Sequence, residues 1–146
     1  DKDYTVRGCT ALIDAIGGAI HHIGNIHKYA REEDRPSKTL FVIITDGMEN
    51  SSKRYDYAKV KQMIERQQER YGWEFMFLGA NMDAIGEARR FGIKAHMAAV
   101  YLCDEVGTAL NYEAVNEVMC NVRACKAMTD SWKKNIEEDV AKRRRR

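Results

Sequence analysis

The sequence predicts an α/β fold in which a parallel sheet is flanked by helices. Residues 40–45 form an uninterrupted apolar run, which is typical of a strand buried on both faces of a parallel sheet. Segments with helical spacing of apolar residues alternate with such strands, and this alternation indicates crossovers between parallel strands. With 146 residues, 45% of them hydrophobic, the chain is long enough to bury one core.

The first predicted element is a helix over residues 10–30. Ile13, Ile16, Ile20 and Ile23 recur at spacings of three and four, which places them on one face of a helix. A charged loop that contains the only proline follows this helix. The loop leads to the strand at residues 40–45.

The middle of the chain predicts a second helix and a second strand. Residues 57–71 read as a helix with Val60 and Ile64 facing inward and Gly72 as its terminator. The apolar and aromatic run at residues 73–78 then predicts a strand.

The first two elements predicted in the last third of the domain are short. Residues 83–91 predict a short helix, and residues 98–102 predict a weaker strand. Residues 111–128 predict a helix. We therefore expect one domain over residues 1–127 and a polar, basic C-terminal tail over residues 128–146.

The charge of the chain depends on that tail. The last four residues are arginines, and without them the formal net charge changes from +2 to −2. We expect a solvated end and no nucleic-acid binding. No apolar stretch approaches the roughly 20 residues of a membrane span. No signal-peptide pattern opens the chain, and the four cysteines form no Cys-x-x-Cys pair, so we expect reduced thiols and a cytoplasmic location.

Asp46 is the first candidate for a functional residue. It ends the apolar strand and is followed at once by Gly47, and open α/β sheets bind their ligands at the carboxyl ends of strands. An Asx-turn is the structural alternative for this side chain. Thr10, which precedes the first helix, is the second candidate, and its structural alternative is the N-cap of that helix.

These residues resemble a known family. Arg7-Gly8-Cys9-Thr10-Ala11-Leu12, followed by Ile44-Thr45-Asp46-Gly47, is similar to the second and third segments of the metal-ion-dependent adhesion site of a von Willebrand factor A domain. Residues 73–81 resemble the next strand and turn of bacterial stand-alone members, and the likeness covers roughly residues 4–115. The resemblance implies a Rossmann-like sheet with Mg²⁺ or Mn²⁺ at its carboxyl edge.

The resemblance also implies a function without catalysis. In such a domain Thr10 contributes a hydroxyl and Asp46 a carboxylate, directly or through water, to an ion that remains short of one ligand. A carboxylate from an Asp or Glu of a protein partner fills the vacancy. The implied protein is a metal-dependent interaction module, with no nucleic acid and no membrane among its partners.

One part of the family pattern is absent from the sequence. The segment Asp-x-Ser-x-Ser, which ends the opening strand of the family and supplies most direct ligands, does not occur. We expect an N-terminally truncated domain whose metal site is incomplete and binds an ion weakly or not at all. In the family the missing strand pairs with the strand at residues 40–45, so we expect an exposed apolar edge and self-association through it.

A receiver-like or phosphatase-like protein is the alternative. Asp46 would then accept a phosphoryl group with Mg²⁺ held by neighbouring acids. Met48 stands where an Asp-x-Asp arrangement needs its second acid, so the interaction module is preferred. Asp14 is left out of the site as a solvent-facing or dipole-favoured carboxylate. The polar residues at positions 50–52 are interpreted as ordinary loop chemistry.

Overall fold

The computed structural model describes residues 10–80 and 83–144 of the chain. Within these ranges the chain alternates helices and strands, as the sequence predicts. In chain order the elements are α1 (Leu12–Tyr29), β1 (Leu40–Thr45), α2 (Tyr57–Tyr71), β2 (Glu74–Ala80), α3 (Ala84–Arg90), β3 (Ala98–Tyr101), α4 (Glu105–Arg123) and α5 (Lys134–Arg144).

The three strands form one parallel sheet in the order β1-β2-β3. Leu40 pairs with Glu74 at the start of β1, and Phe77 pairs with Ala98 at the start of β3. The central strand β2 is buried on both faces, as expected for a continuous apolar run inside a parallel sheet. The predicted α/β class and parallel sheet are therefore confirmed.

Aromatic side chains of β2 pack against β1 and against the end of α3. Phe75 packs against Phe41 of β1 and Trp73, with ring centroids 5.4 and 6.1 Å apart. Phe77 packs against Phe91 at the end of α3. The helix α3 contacts β2 and β3, α4 contacts β1 and β3, and α5 contacts β3. The core therefore forms around β2.

The helix α2 has the bounds predicted from the sequence. Asp56 is its N-cap, and its carboxylate accepts a hydrogen bond of 2.7 Å from the Lys59 amide. Gly72 ends the helix with a positive φ of 63°, which costs glycine little because it has no Cβ.

The predicted bounds of α4 were wrong at both ends. The helix spans Glu105–Arg123, whereas the sequence predicts residues 111–128. Asp104 is its N-cap and accepts from the Gly107 amide at 2.8 Å. A Cβ on Gly107 would lie 1.8 Å from the Leu102 carbonyl oxygen, so glycine permits the close approach of strand end and helix. The first turn was missed because most of its side chains are exposed and it carries little apolar periodicity.

Residues 131–144, within the predicted polar and basic tail, are folded. These residues form a turn of 3₁₀ helix and α5. Trp132, Ile136 and Val140 are buried, and their spacing of four places them on one helix face. The pattern escaped prediction because charged residues separate these three positions. Arg145 and Arg146 lie outside the described residues.

Candidate functional site

The loop between β1 and α2, residues 46–56, lies against the first turn of α1 at the carboxyl edge of the sheet. Asn50 joins the two segments through its side chain and its backbone. Its side-chain oxygen Oδ1 accepts a hydrogen bond from the Thr10 backbone N–H at 2.8 Å. Its backbone N–H donates a hydrogen bond to the Thr10 carbonyl oxygen at 3.1 Å. The start of α1 is therefore held at the end of β1.

Glu49 caps α1 from this loop. Its carboxylate accepts hydrogen bonds from the amides of Ile13, Ser51 and Ser52 at 2.7–2.8 Å, and another from the Ser52 hydroxyl at 2.7 Å. The residue at the N-cap position, Ala11, has no side chain for that role. Burial acts to raise the pKa of Glu49, but the hydrogen bonds outweigh it and leave the pKa below its ordinary value.

Asp14 makes hydrogen bonds in the opposite direction along the chain, because it lies on α1 and its carboxylate binds backbone amides of the loop. Its carboxylate accepts from the amides of Lys53, Arg54 and Tyr55 at 2.8–2.9 Å. The hydrogen bond from Lys53 is the largest cause of its lowered pKa. The sequence analysis interprets Asp14 as a solvent-facing or dipole-favoured carboxylate, whereas the structure shows that it bridges α1 to the loop.

Thr10 and Asp46 lie together at this edge. A Cβ on Gly47 would be 2.9 Å from the Thr10 hydroxyl oxygen, so that hydroxyl lies directly against the residue after Asp46. Ala11 is the N-cap of α1, and no side chain at that position makes a capping hydrogen bond, so the N-cap alternative for Thr10 was wrong.

The Asp46 side chain is exposed. Its carboxylate accepts no hydrogen bond from the part of the chain that the structure describes, and the tight turn is made by its neighbour. The Thr45 hydroxyl donates to the Gly47 carbonyl oxygen at 2.9 Å. The Asx-turn alternative for Asp46 is therefore not formed.

Tyr101, at the end of β3, adds a third group that sequence reasoning missed. Its side chain is buried, and burial is the largest cause of its raised pKa. The charges of Cys103 and Asp46 raise that pKa further. The Asp46 carboxylate therefore acts electrostatically on the end of β3, two strands away.

The hydroxyl of Thr10 and the carboxylate of Asp46 are oxygen ligands, the kind that a hard cation such as Mg²⁺ prefers. Such an ion takes about six oxygen ligands, and Thr10 with Asp46 would supply two. Among residues 10–80 and 83–144, no group of three or more His, Cys, Asp and Glu side chains is arranged to hold a metal. Residues 7–9 and Asn81 of the family-like segments lie outside the described ranges.

A second buried polar cluster joins α2 to α3. The Tyr57 hydroxyl donates to the Glu87 carboxylate, which is buried, and Arg90 donates to the same carboxylate at 3.2 Å. The Arg90 guanidinium lies 3.5 Å from the centre of the Tyr57 ring. Burial, together with Glu87, raises the pKa of Tyr57 to about 12. The cluster fixes α3 to the start of α2, and Tyr57 with Glu87 was not apparent from the sequence because 30 residues separate them.

Comparisons with known proteins assign no family to the chain. No family model, no curated protein and no solved structure that was compared with it matches. In the described ranges no helix combines the length and apolar character that crossing a membrane requires.

Proposed function

We propose that this chain is a metal-dependent protein-interaction module of the von Willebrand factor A type. Mg²⁺ or Mn²⁺ is held by Thr10 and Asp46 at the carboxyl edge of the sheet, and the partner contributes an Asp or Glu carboxylate. The observation that carries the proposal is the exposed Asp46 carboxylate next to Gly47, where an added Cβ would lie 2.9 Å from the Thr10 hydroxyl oxygen.

The surroundings of Asp46 support a preorganised site. Four carboxylates lie in the segments that meet here. Asp56 caps α2, and two others bridge the segments through backbone amides: Glu49 holds α1, and Asp14 holds the loop. Because both bridges cross between the same two segments, they limit the relative motion of Thr10 and Asp46. The fourth carboxylate, Asp46, is the one available to an ion.

The donor chemistry supports a partner carboxylate as the second ligand source. A neutral hydroxyl and a single carboxylate leave a divalent cation with net positive charge and open coordination positions. The family segment Asp-x-Ser-x-Ser is not in this sequence, so weak binding is part of the proposal. The role of the protein is to position two oxygen ligands and to expose the ion to a partner.

The phospho-acceptor alternative receives less support from the same contacts. A phosphorylated Asp46 needs further acids to hold Mg²⁺ beside it. Asp14 and Glu49 are already engaged by three backbone amides each. No observation at this edge favours group transfer over binding, and the proposed module is not an enzyme.

Calorimetric titration with Mg²⁺ and with Mn²⁺ tests the proposal. We expect weak binding by the chain, loss of binding in Asp46→Asn, and weaker binding in Thr10→Val. Asp34→Asn is the matched control, because Asp34 is exposed and lies far along the chain in the α1–β1 loop. Thermal unfolding of each variant shows that the fold is retained. An unchanged isotherm in Asp46→Asn, or no heat from the unsubstituted chain at millimolar ion, would overturn the proposal.

A further inference from the structure

We propose that the outer edge of β1 pairs antiparallel with β1 of a second copy of this chain. The result is a closed dimer with one continuous sheet, in which each copy supplies its three strands. This assembly does not require a metal ion, but it shares Asp46 with the proposed metal site.

The edge of β1 has the chemistry of an unprotected strand. Within residues 10–80 and 83–144, β1 pairs with β2 alone. Its six residues include no charge and no proline, the two features that commonly block an edge. Leu40, Phe41 and Val42 are only half-buried, and Ile44 is 50% exposed. Apolar side chains on both faces of an open edge favour the addition of another apolar strand.

The other edge of the sheet is protected by the C-terminal segment. The Lys133 ammonium is buried and donates to the carbonyl oxygens of Ala95 and Ala98, both at 3.2 Å. The Trp132 indole N–H donates to the His96 carbonyl oxygen at 3.0 Å. Growth of the sheet beyond β3 is therefore hindered, and pairing through β1 closes at two copies.

The backbone pattern shows which residues of β1 face the outer edge. The Thr39 carbonyl oxygen accepts from the Glu74 amide at 2.9 Å, so Thr39 directs its backbone groups toward β2. Successive residues of a strand direct their N–H and C=O groups to opposite sides. Leu40, Val42 and Ile44 therefore direct theirs to the outer edge.

In one antiparallel register, the outward N–H and C=O groups of β1 form hydrogen bonds with the same groups of β1 in the second copy. With Val42 opposite Val42 of the second copy, Leu40 lies opposite Ile44 at both ends. Each opposed pair exchanges two backbone hydrogen bonds in an antiparallel ladder. Every side chain opposed in this way is apolar, and residues on one face of β1 meet residues on the same face of the second strand.

Charge complementarity favours a second copy as the occupant of this edge. Just outside β1, the same register would bring Lys38 of one chain near Asp46 of the other, and both residues are exposed. The two-fold axis repeats this opposite-charge pair at the two ends of the ladder, where such pairs stabilise a sheet. An unrelated strand would meet these two charges only by coincidence of its sequence.

Sedimentation over a concentration series, with EDTA present, tests the dimer. We expect a monomer–dimer equilibrium and a dissociation constant at least about tenfold higher in Ile44→Lys, because the two-fold axis introduces the buried charge twice. Ile26→Lys is the control, since Ile26 is 53% exposed on α1. A strictly monomeric chain, or equal weakening by both substitutions, would overturn the proposal.

Disulfide trapping tests the register and does not require Ile44→Lys to fold. Val42→Cys, in a chain whose four native cysteines are replaced by serine, is expected to form a disulfide-linked dimer, because the opposed Cα atoms would lie about 5.5 Å apart. Ile44→Cys in the same background is expected to remain unlinked, since its two copies would be offset by about 13 Å along the strands. Equal linkage of both variants, or of neither, contradicts the assigned register.

Discussion

At the level of single residues, position decides what a carboxylate does at this edge of the sheet. Glu49 and Asp14 accept hydrogen bonds from backbone amides of the opposite segment, and Asp46 projects into solvent. A carboxylate held by several amides contributes to folding, because those amides would otherwise lack partners. An exposed carboxylate can be replaced at little cost in stability. The three residues should therefore respond differently to the same substitution.

Replacing Glu49 with glutamine is expected to destabilise the protein. One side-chain oxygen becomes an NH₂ group that would face the amide donors, so part of the cap on α1 is lost. We expect the free energy of unfolding to fall by about 1–3 kcal/mol. Urea denaturation measures this change, and Glu33→Gln serves as an exposed control in the α1–β1 loop. Equal stability of the two variants would show that the Glu49 hydrogen bonds contribute nothing.

The pH dependence of stability follows from the same bridges. The pKa values of Asp14 and Glu49 are lowered in the folded state from ordinary values of 3.8 and 4.5. Their stabilising contribution is present above those ordinary values and is lost as pH falls through the lower folded-state pKa values. We expect the unfolding midpoint in urea to drop below about pH 4. The drop should be smaller in Glu49→Gln; an identical pH profile would contradict the assignment.

Tyr57 is expected to ionise at higher pH than the exposed tyrosines. Its folded-state pKa is raised to about 12 from 10.0. The stability that this shift contributes is present below pH 10.0 and is lost as pH rises through about 12. Because the pKa of Tyr101 is raised as well, tyrosinate absorbance should show a late ionisation whose amplitude falls in Tyr57→Phe and is unchanged in Tyr112→Phe, whose ring is exposed. An equal reduction of the late step in both variants, or in neither, would contradict its assignment to Tyr57.

At the level of elements, the sequence predicted best where the determinants are local. The bounds of α2 follow from an apolar stripe and a terminal glycine. The first turn of α4 was missed because its close contact with Leu102 depends on a glycine and on tertiary packing. The roles of Asp14 and Glu49 were missed for a related reason, since their partners on the opposite segment lie 36 to 41 residues away. Thr10 and Asp46 were placed at the same edge because both adjoin predictable elements.

The C-terminal segment is expected to contribute strongly to folding through Trp132. Its ring is buried and its indole N–H donates to the His96 carbonyl oxygen. Trp132→Ala should lower the free energy of unfolding by about 3–5 kcal/mol, because a large buried ring is removed. Trp132→Phe retains most of the packing and should cost less, about 1–2 kcal/mol, mainly for the unpaired carbonyl. Chemical denaturation measures both, and similar small losses would indicate that α5 is only loosely attached.

At the level of the whole molecule, the two edges of the sheet differ in protection. The C-terminal segment places a buried ammonium and an indole at the carbonyl groups on the β3 side. The β1 side presents an uncharged strand to its surroundings within the described residues. A sheet with one protected edge favours a closed pair over a fibre, since each copy has one surface for pairing. The proposed metal site and the pairing edge meet at Asp46, which follows β1.

A charge exchange at the ends of β1 distinguishes self-pairing from nonspecific association. Lys38→Glu alone or Asp46→Lys alone places like charges opposite each other in the dimer, so each variant should dimerise less than the unsubstituted chain. An equimolar mixture of the two, or the double variant, restores opposite charges at both ends and should regain most of the dimer. Sedimentation in EDTA measures these equilibria without a contribution from metal at Asp46. If the mixture dimerises no more tightly than either variant alone, the two residues do not meet in the dimer. Association driven by apolar surface alone would not be restored by combining the two charge changes.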